Sequence, residues 1–271
     1  MKQKKYPRTA VVTGASKGIG LAVAQMLSDE GYQVFGLSRH PVTEAGARLG
    51  ISGIFCDVAD PVSVQNAFCI IRRRCRRIDL VVVNAGIGIS GAVEFSREDD
   101  ISRQIEVNLS GAIRCAREAL PLMRRQGYGR ILFISSLGAV FPLPFQSFYS
   151  VSKAGMGVFC DALGLEVKPF GIETCTLLLN DVKTGFTTSR TKNTEGDDIY
   201  QGRIRASVAR MERSERHGMD PARVAAAIRR LLRRRRLPPH FIVGFSNQIL
   251  GLLYRLLPAR TMLWIVGKIY G

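Results

Sequence analysis

The chain lacks the signatures of several protein classes. No two cysteines have the C-x-x-C spacing, and Cys56, Cys69, Cys75, Cys115, Cys160 and Cys175 are scattered along 271 residues. Scattered thiols argue against a disulfide framework and against a metal site. No apolar run reaches the length of about 18 residues expected of a membrane span. The start, Met1-Lys2-Gln3-Lys4-Lys5-Tyr6-Pro7-Arg8, is basic and passes directly into a strand-like run, so no signal peptide is expected. Reduced thiols without a leader predict a cytoplasmic location. No repeat with a period of about 20–50 residues is visible, and no linker divides the chain. One domain spanning residues 1–271 is therefore expected.

Acidic residues are scarce as well: 22 Asp+Glu against 39 Lys+Arg leave a formal charge of +17. Such a balance raises the question of nucleic acid or an anionic membrane. The excess is concentrated in arginine runs, Arg72–Arg77 around Cys75 and Arg229–Arg236. Both fall at the ends of predicted helices, where cations complement the dipole. They read as solvated helix ends, and nucleic acid is not expected as a partner.

What is present is alternation. Thr9–Thr13, Gln33–Leu37, Ile51–Cys56, Ile78–Val83, Arg130–Ser135, Gly171–Leu179 and Phe241–Gly244 read as strands. Helical spacing covers Gly18–Glu30, Pro61–Arg74, Tyr149–Val167 and the stretch opened by Asp220-Pro221 to about Arg235. Ile101–Arg125 reads as one long helix or two joined ones. Strands alternating with helices predict an α/β fold, a doubly wound parallel sheet of about seven strands with right-handed crossovers. Phe186–Met219, polar and charged, and Ser246–Gly271, strongly apolar, fall outside the alternation.

The first strand runs into Thr13-Gly14-Ala15-Ser16-Lys17-Gly18-Ile19-Gly20, followed by a helix. Glycines at these positions let the backbone turn and approach a pyrophosphate, while the helix N-terminus offers free N–H groups. Further on, Tyr149 and Lys153 stand four apart on one helix face, with Ser136 at the end of the preceding strand. Taken with Asp57 in Cys56-Asp57-Val58, with Asn84-Ala85-Gly86 and with Asn108, these motifs resemble the short-chain dehydrogenase/reductase family, in the family's order and over roughly Arg8 to Phe186. Hydroxysteroid- and retinol-type members are the closest in character.

The resemblance implies a dinucleotide cofactor held by Gly14, Ser16, Lys17, Gly18, Ile19 and Gly20. It places Asp57 at the adenine with Val58 packed nearby, and Asn84, Ala85 and Gly86 along the cofactor. The second strand ends Ser38-Arg39 with no acid, where NAD sites usually carry one. Ser38, Arg39 and Lys17 suit a 2′-phosphate, which points to NADP(H). By the same resemblance Tyr149 is the proton donor and acceptor, Ser136 orients the substrate oxygen, Lys153 binds the nicotinamide ribose, and Asn108 holds a relay water. Ser135 is the alternative serine; spacing to Tyr149 favours Ser136. An ammonium beside a phenol lowers its pKa, so Lys153 is expected to pull Tyr149 down. Val182 and Thr184 stand where the nicotinamide carboxamide is held. Leu179-Asn180 replaces the family's Pro-Gly there, and Asn180, tolerant of left-handed backbone, is expected to stand in for the glycine.

Phe141-Pro142-Leu143-Pro144-Phe145 is expected to wall an apolar substrate pocket, with 186–219 as its lid. In the C-terminal extension, 246–271, Ile249, Leu250, Leu253, Leu256 and Leu257 share a helical face, with Arg255 off it. Such a tail can pack on the core, pair subunits or lie in a membrane interface. The resulting expectation is an oxidoreductase for a hydrophobic ketone or secondary alcohol, steroid-, retinoid- or lipid-like. A homodimer or homotetramer through Leu109–Gln126 and Tyr149–Val167, with peripheral membrane contact, accompanies it. The alternatives are a 3-oxoacyl-carrier-protein reductase, against which the missing Gly-Gly ending speaks, and a non-enzymatic dinucleotide sensor.

Overall fold

The computed structural model describes residues 7–42, 48–244, 247–249, 251 and 256–270. Thr9–Thr13 forms β1, buried along its whole length. Successive side chains of a strand point to opposite faces, so Ala10 and Val12 enter one core layer and Val11 the other. Leu80–Val83 (β4) divides in the same way, Leu80 and Val82 from Val81 and Val83. Both runs are apolar throughout because both faces are covered.

Gln33–Ser38 (β2), Ile51–Phe55 (β3), Gly129–Ser136 (β6), Ile172–Leu179 (β7) and His240–Ile242 (β9) complete a seven-stranded parallel sheet. Its order is β3-β2-β1-β4-β6-β7-β9. Gly18–Asp29 (α1) and Pro221–Leu232 (α7) pack on one face; Pro61–Arg74 (α2), Gly111–Gln126 (α4) and Ser147–Val167 (α5) pack on the other. This is the doubly wound Rossmann arrangement that the alternation predicts. Asp60 and Asp220 cap α2 and α7 by accepting from Val62 N (2.9 Å) and Ala222 N (2.7 Å), each followed by a proline in the first turn.

The stretch expected as one long helix or two is Glu98–Ile105 (α3) and α4 joined by a π-helical turn, Glu106–Ser110. Asn108 lies in that turn. Of the two segments outside the alternation, 186–219 contains structure that its composition did not announce, while the C-terminal one holds a helix as its apolar spacing implied. Thr191–Lys192 (β8) pairs with Ile89–Ser90 (β5), Arg203–Arg216 forms α6, and Ala259–Tyr270 forms α8. Of the expected tail stripe, Leu250 and Leu253 lie outside the described residues, as does Arg255. Leu256 is exposed, and Leu257 lines the cavity described below. Among the described residues no helix is long and apolar enough to cross a membrane.

The arginine runs do close helices. Arg72, Arg73 and Arg74 form the last turn of α2. Arg229 and Arg233 reach Glu30 at 3.8 and 3.4 Å. The carbonyls at the end of α7 are taken by a distant residue: Arg130 donates to Leu232 O (2.7 Å) and Arg234 O (2.9 Å).

Candidate active site

In an open parallel sheet the ligand crevice lies beyond the carboxyl ends of the strands, where their order reverses. Here that point is between β1 and β4. A cavity of about 530 Å³ occupies it and extends to α8. Of the residues expected at the catalytic and cofactor sites, all but Gly20 and Asn108 line this one cavity.

At the cofactor end, Gly14 (φ +66°) and Gly18 (φ +58°) adopt left-handed backbone, which glycine enters without steric cost. Gly20 is needed for a different reason. A Cβ there would stand 2.2 Å from Gly14 O and 2.6 Å from Asn84 Nδ2. Asn84 Nδ2 donates to Thr13 O (2.9 Å), while Thr13 Oγ1 accepts from Asn84 N (2.9 Å) and Ala85 N (3.0 Å). Thr13 thus ties the glycine loop to the Asn84-Ala85-Gly86 turn, a role its place in the sequence did not suggest.

Lys17 precedes α1 in extended backbone, so the helix N-terminus opens on the cavity. The Ser38 hydroxyl is buried, borders the cavity and has no hydrogen-bond partner, and exposed Arg39 follows it. An idle buried hydroxyl beside a free guanidinium fits an anionic ligand group. Asp57 Oδ1 accepts from Ala59 N (3.0 Å), and Val58 is buried beside it. Thr184 closes over the loop: a Cβ on Gly18 would stand 3.3 Å from Thr184 Cβ. Val182 bridges to Met219. These residues fit a dinucleotide.

The reactive cluster comes from three elements. Lys153, buried on α5, donates from Nζ to Ile134 O (2.9 Å) on β6. A Cβ on Gly86 would lie 3.2 Å from Asn108 Oδ1 and 3.6 Å from Lys153 Nζ, so the two groups converge over that glycine. Asn108 Oδ1 accepts from Ile87 N (2.8 Å), and Asn108 Nδ2 donates to Ile87 O (3.0 Å) and Ser152 Oγ (3.2 Å). Its amide therefore clamps the turn after β4. The two serines separate by partner. Ser135 is buried and donates to Lys153 O (3.1 Å), whereas Ser136 Oγ accepts from Gly138 N (3.0 Å) and stands beside the Tyr149 phenol.

The electrostatics correct one expectation. Burial pushes the Tyr149 phenol above its ordinary value; the Ser136 hydrogen bond and Arg190 pull it down, and Glu215 and Asp181 push it up. Lys153 is not among the groups that lower it: burial brings the lysine down to about 8, so it has lost its proton by the pH at which the raised phenol ionises. Its Nζ stands 5.9 Å from the Tyr149 ring centroid. A second correction concerns Asn180. It is exposed, and it is not among the described residues with positive φ, which besides glycines are Phe145 and Gln201. The chain leaves β7 without a left-handed residue, and Lys183 N donates to Met219 O (2.9 Å) while Met219 N donates to Asp181 O (2.8 Å). These bonds hold the segment where the family's Pro-Gly would.

Beyond Tyr149 the cavity is mainly apolar. Phe141 and Leu143 line it as expected; Phe145 instead turns its ring to Tyr200, 5.7 Å away. The 186–219 segment contributes Phe186, Arg190, Met211 and Glu215, and α8 adds Met262, Ile265, Val266, Ile269 and Tyr270. Asp181, Arg190, Glu215 and Tyr270 were not indicated by any motif.

The fold and this cluster define an oxidoreductase of the short-chain dehydrogenase class, and the chain belongs to that family: its short chain dehydrogenase profile matches residues 8–195. The family's cofactors are nicotinamide dinucleotides. The chain is similar to a 3-ketodihydrosphingosine reductase of Bacteroides thetaiotaomicron, 37% identical over 246 residues that cover 90% of each protein. It is also similar to human 17-beta-hydroxysteroid dehydrogenase type 1, 32% identical over 195 residues, 66% of this chain and 58% of that protein. A crystal structure of a short-chain dehydrogenase from Streptomyces avermitilis superposes with a TM-score of 0.83 at 28% identity, covering 98% of both chains.

Proposed function

We propose that the protein is an NADP(H)-dependent reductase that interconverts a hydrophobic ketone and a secondary alcohol, with a long-chain lipid ketone as substrate. The observation that carries this reading is the single cavity in which Ser136, Tyr149 and Lys153 stand between a glycine loop and an apolar wall. The Bacteroides relative, matched over nine-tenths of both chains, supports a sphingoid ketone over a steroid.

A bound dinucleotide supplies or accepts the hydride. Tyr149 passes its proton to the carbonyl oxygen in reduction and takes it back in oxidation. Ser136 donates a hydrogen bond to the same oxygen and orients it. Lys153 holds the nicotinamide ribose and, titrating near neutrality, returns the proton to Tyr149. Asn108 fixes the Ile87 turn beside Lys153 and positions a relay water. Gly14, Gly18, Gly20, Ser16 and Ile19 cradle the pyrophosphate, and Ser38, Arg39 and Lys17 receive the 2′-phosphate. Asp57 and Val58 take the adenine, Asn84-Ala85-Gly86 the ribose side, and Val182 and Thr184 the carboxamide.

The wider reading is of one domain with 186–219 as substrate lid and the C-terminal segment as its cover. Exposed Val151, Val158 and Leu165 repeat every seven residues along α5, which supports pairing with a second copy. On α8, exposed Leu263 and Trp264 stand among exposed Arg260 and Lys268 while Met262 and Val266 face inward. That two-sided helix supports contact with an anionic membrane, and the six free thiols support a reducing, cytoplasmic setting.

The test is NADPH oxidation with 3-ketodihydrosphingosine, steroid ketones, retinal and 3-oxoacyl thioesters, with Tyr149→Phe as control. Turnover of the long-chain ketone is expected to exceed that of the others. Wild type and Tyr149→Phe equally inert on every class, with NADPH still bound, would establish the dinucleotide sensor instead.

A further inference from the structure

The apolar cavity contains one charged patch that the proposed chemistry does not use. Asp181 follows β7, and Ser214 Oγ donates to its Oδ2 at 2.6 Å. Glu215, next to Ser214 on α6, accepts from Thr187 Oγ1 (2.7 Å) and pairs with Arg190. All three charged residues line the cavity. Arg190 is a buried side chain, 1% exposed, whose Nε and Nη1 have no partner. Its guanidinium lies 5.5 Å from the centroid of the Phe186 ring, and that ring centroid lies 6.0 Å from that of Tyr149.

Two carboxylates face one guanidinium, so the patch carries a net negative charge when ionised. Glu215 pairs with Arg190, whereas Asp181 has no ion pair among the described residues: Ser214 donates to it, and Arg190 acts on it only at longer range. A carboxylate taken out of water without a cation is costly, and burial together with the charge of Glu215 pushes the Asp181 carboxyl above its ordinary range. The same two carboxylates share the cavity wall with Tyr149 and with Tyr270 of the C-terminal helix, and their charge pushes both phenols up. Buried polar groups left incomplete by the chain are completed by ligand or water. Arg190, with Nε and Nη1 idle, is such a group and calls for an acceptor; Asp181, without an ion pair, is another and calls for a cation.

We propose that Asp181 and the Arg190-held Glu215 form a subsite that binds the ammonium group of an amino-ketone substrate close to its reacting carbonyl. This rests on the reductase reading and sharpens its substrate class: an apolar chain in the cavity, a ketone at Tyr149 and a primary ammonium at Asp181. Arg190 acts as a positioning residue that orients Glu215. A cation anchored there fixes the carbonyl against Ser136 and Tyr149, which converts binding energy into alignment. Neutral ketones of equal length lack that anchor.

The test uses the full chain with NADPH and two ketones, 3-ketodihydrosphingosine and its analogue without the amino group. Wild type is expected to prefer the amine by about tenfold or more in kcat/KM, the value of a charge-assisted hydrogen bond. Asp181→Asn is expected to erase that preference, raising KM through the lost anchor and lowering kcat through the lost alignment, and Asp181→Glu to restore part of it. Equal losses on both ketones, or no preference in wild type, overturn the subsite; with the amine-free ketone still reduced, the reductase reading stands. Should neither ketone be reduced, that reading fails, and calorimetry of wild type with dihydrosphingosine decides the subsite separately. Binding about tenfold or more tighter than that of N-acetyl-dihydrosphingosine supports it, and equal binding overturns it.

Discussion

At one end of the cavity the glycine loop is closely packed: a methyl added at Gly14 or at neighbouring Gly20 would stand under 3.0 Å from Asn84 Nδ2, which donates to Thr13 O. At the other end Phe186, Met211 and Tyr270 reach the cavity from three separate stretches of the chain. Helix α8 is fastened to α6 by Arg210, which donates to Ile269 O. The cofactor end is a short, continuous device: loop, helix N-terminus and the neighbouring strand end. The substrate end is assembled from segments far apart in the chain. Rigid backbone suits a ligand of constant shape, whereas side chains on a separate layer can vary with the substrate.

This contrast can be broken at defined points. The largest effect is expected at the junction of the two ends. Tyr149→Phe should lower kcat on the order of 10²- to 10⁴-fold, with NADPH affinity retained in a fluorescence titration.

Lys153 tests the burial of that junction. Its folded pKa of about 8 lies below the ordinary 10.5. Between those values the unfolded chain binds more protons, so stability rises with pH and the penalty is complete below about pH 8. Urea unfolding should therefore find Lys153→Met more stable than wild type by up to about 3 kcal/mol near pH 7. The gap should close as the pH approaches 10. A gap that does not change with pH would mean that the amine is hydrated.

At the cofactor end alone, Gly20→Ala should cost about 1–3 kcal/mol through overpacking and weaken NADPH binding, because the Cβ meets the Gly14 carbonyl oxygen. Thermal unfolding with and without NADPH checks this. Arg39→Asp should shift the ratio of NADPH to NADH affinity by about tenfold towards NADH, and an unchanged ratio would remove Arg39 from the 2′-phosphate. The smallest change in turnover is expected on the outer face of α8. Leu263→Ser with Trp264→Ser should reduce sedimentation with anionic phosphatidylserine vesicles while leaving reduction of a water-soluble ketone within about twofold, since surface substitutions are nearly neutral for the fold.

Legibility in the sequence followed the same division. The parallel sheet could be read because β1 and β4 are short apolar runs bounded by turn residues. The glycine loop could be read because its residues are neighbours in the chain. Tyr149, Lys153 and Ser136 were singled out from a helical spacing, a strand end and the family resemblance, and the fold brings them to one cavity. By contrast, 186–219 read as polar and uninformative, yet it supplies Arg190 and Glu215 to the cavity wall. Those two are 25 residues apart, Asp181 and Ser214 are 33 apart, and no periodicity connects such pairs. The pKa of Tyr149 was misjudged from the sequence for a related reason: spacing brings an ammonium near, but burial, a property of the whole fold, raises the phenol and lowers the lysine.

The sequence by itself determined the alternation of strand and helix, the loop that turns on Gly14 and Gly18, and the order of Ser136, Tyr149 and Lys153. Each depends on steric and periodic rules that act within a few residues. Only the tertiary structure decided that Ser135 serves the Lys153 carbonyl while Ser136 faces the phenol. It alone also brought Asp181, Arg190 and Glu215 into one charged patch beneath α8. Those choices depend on which surfaces are buried against one another, and burial sets both the partners and the charge of every group in the cavity.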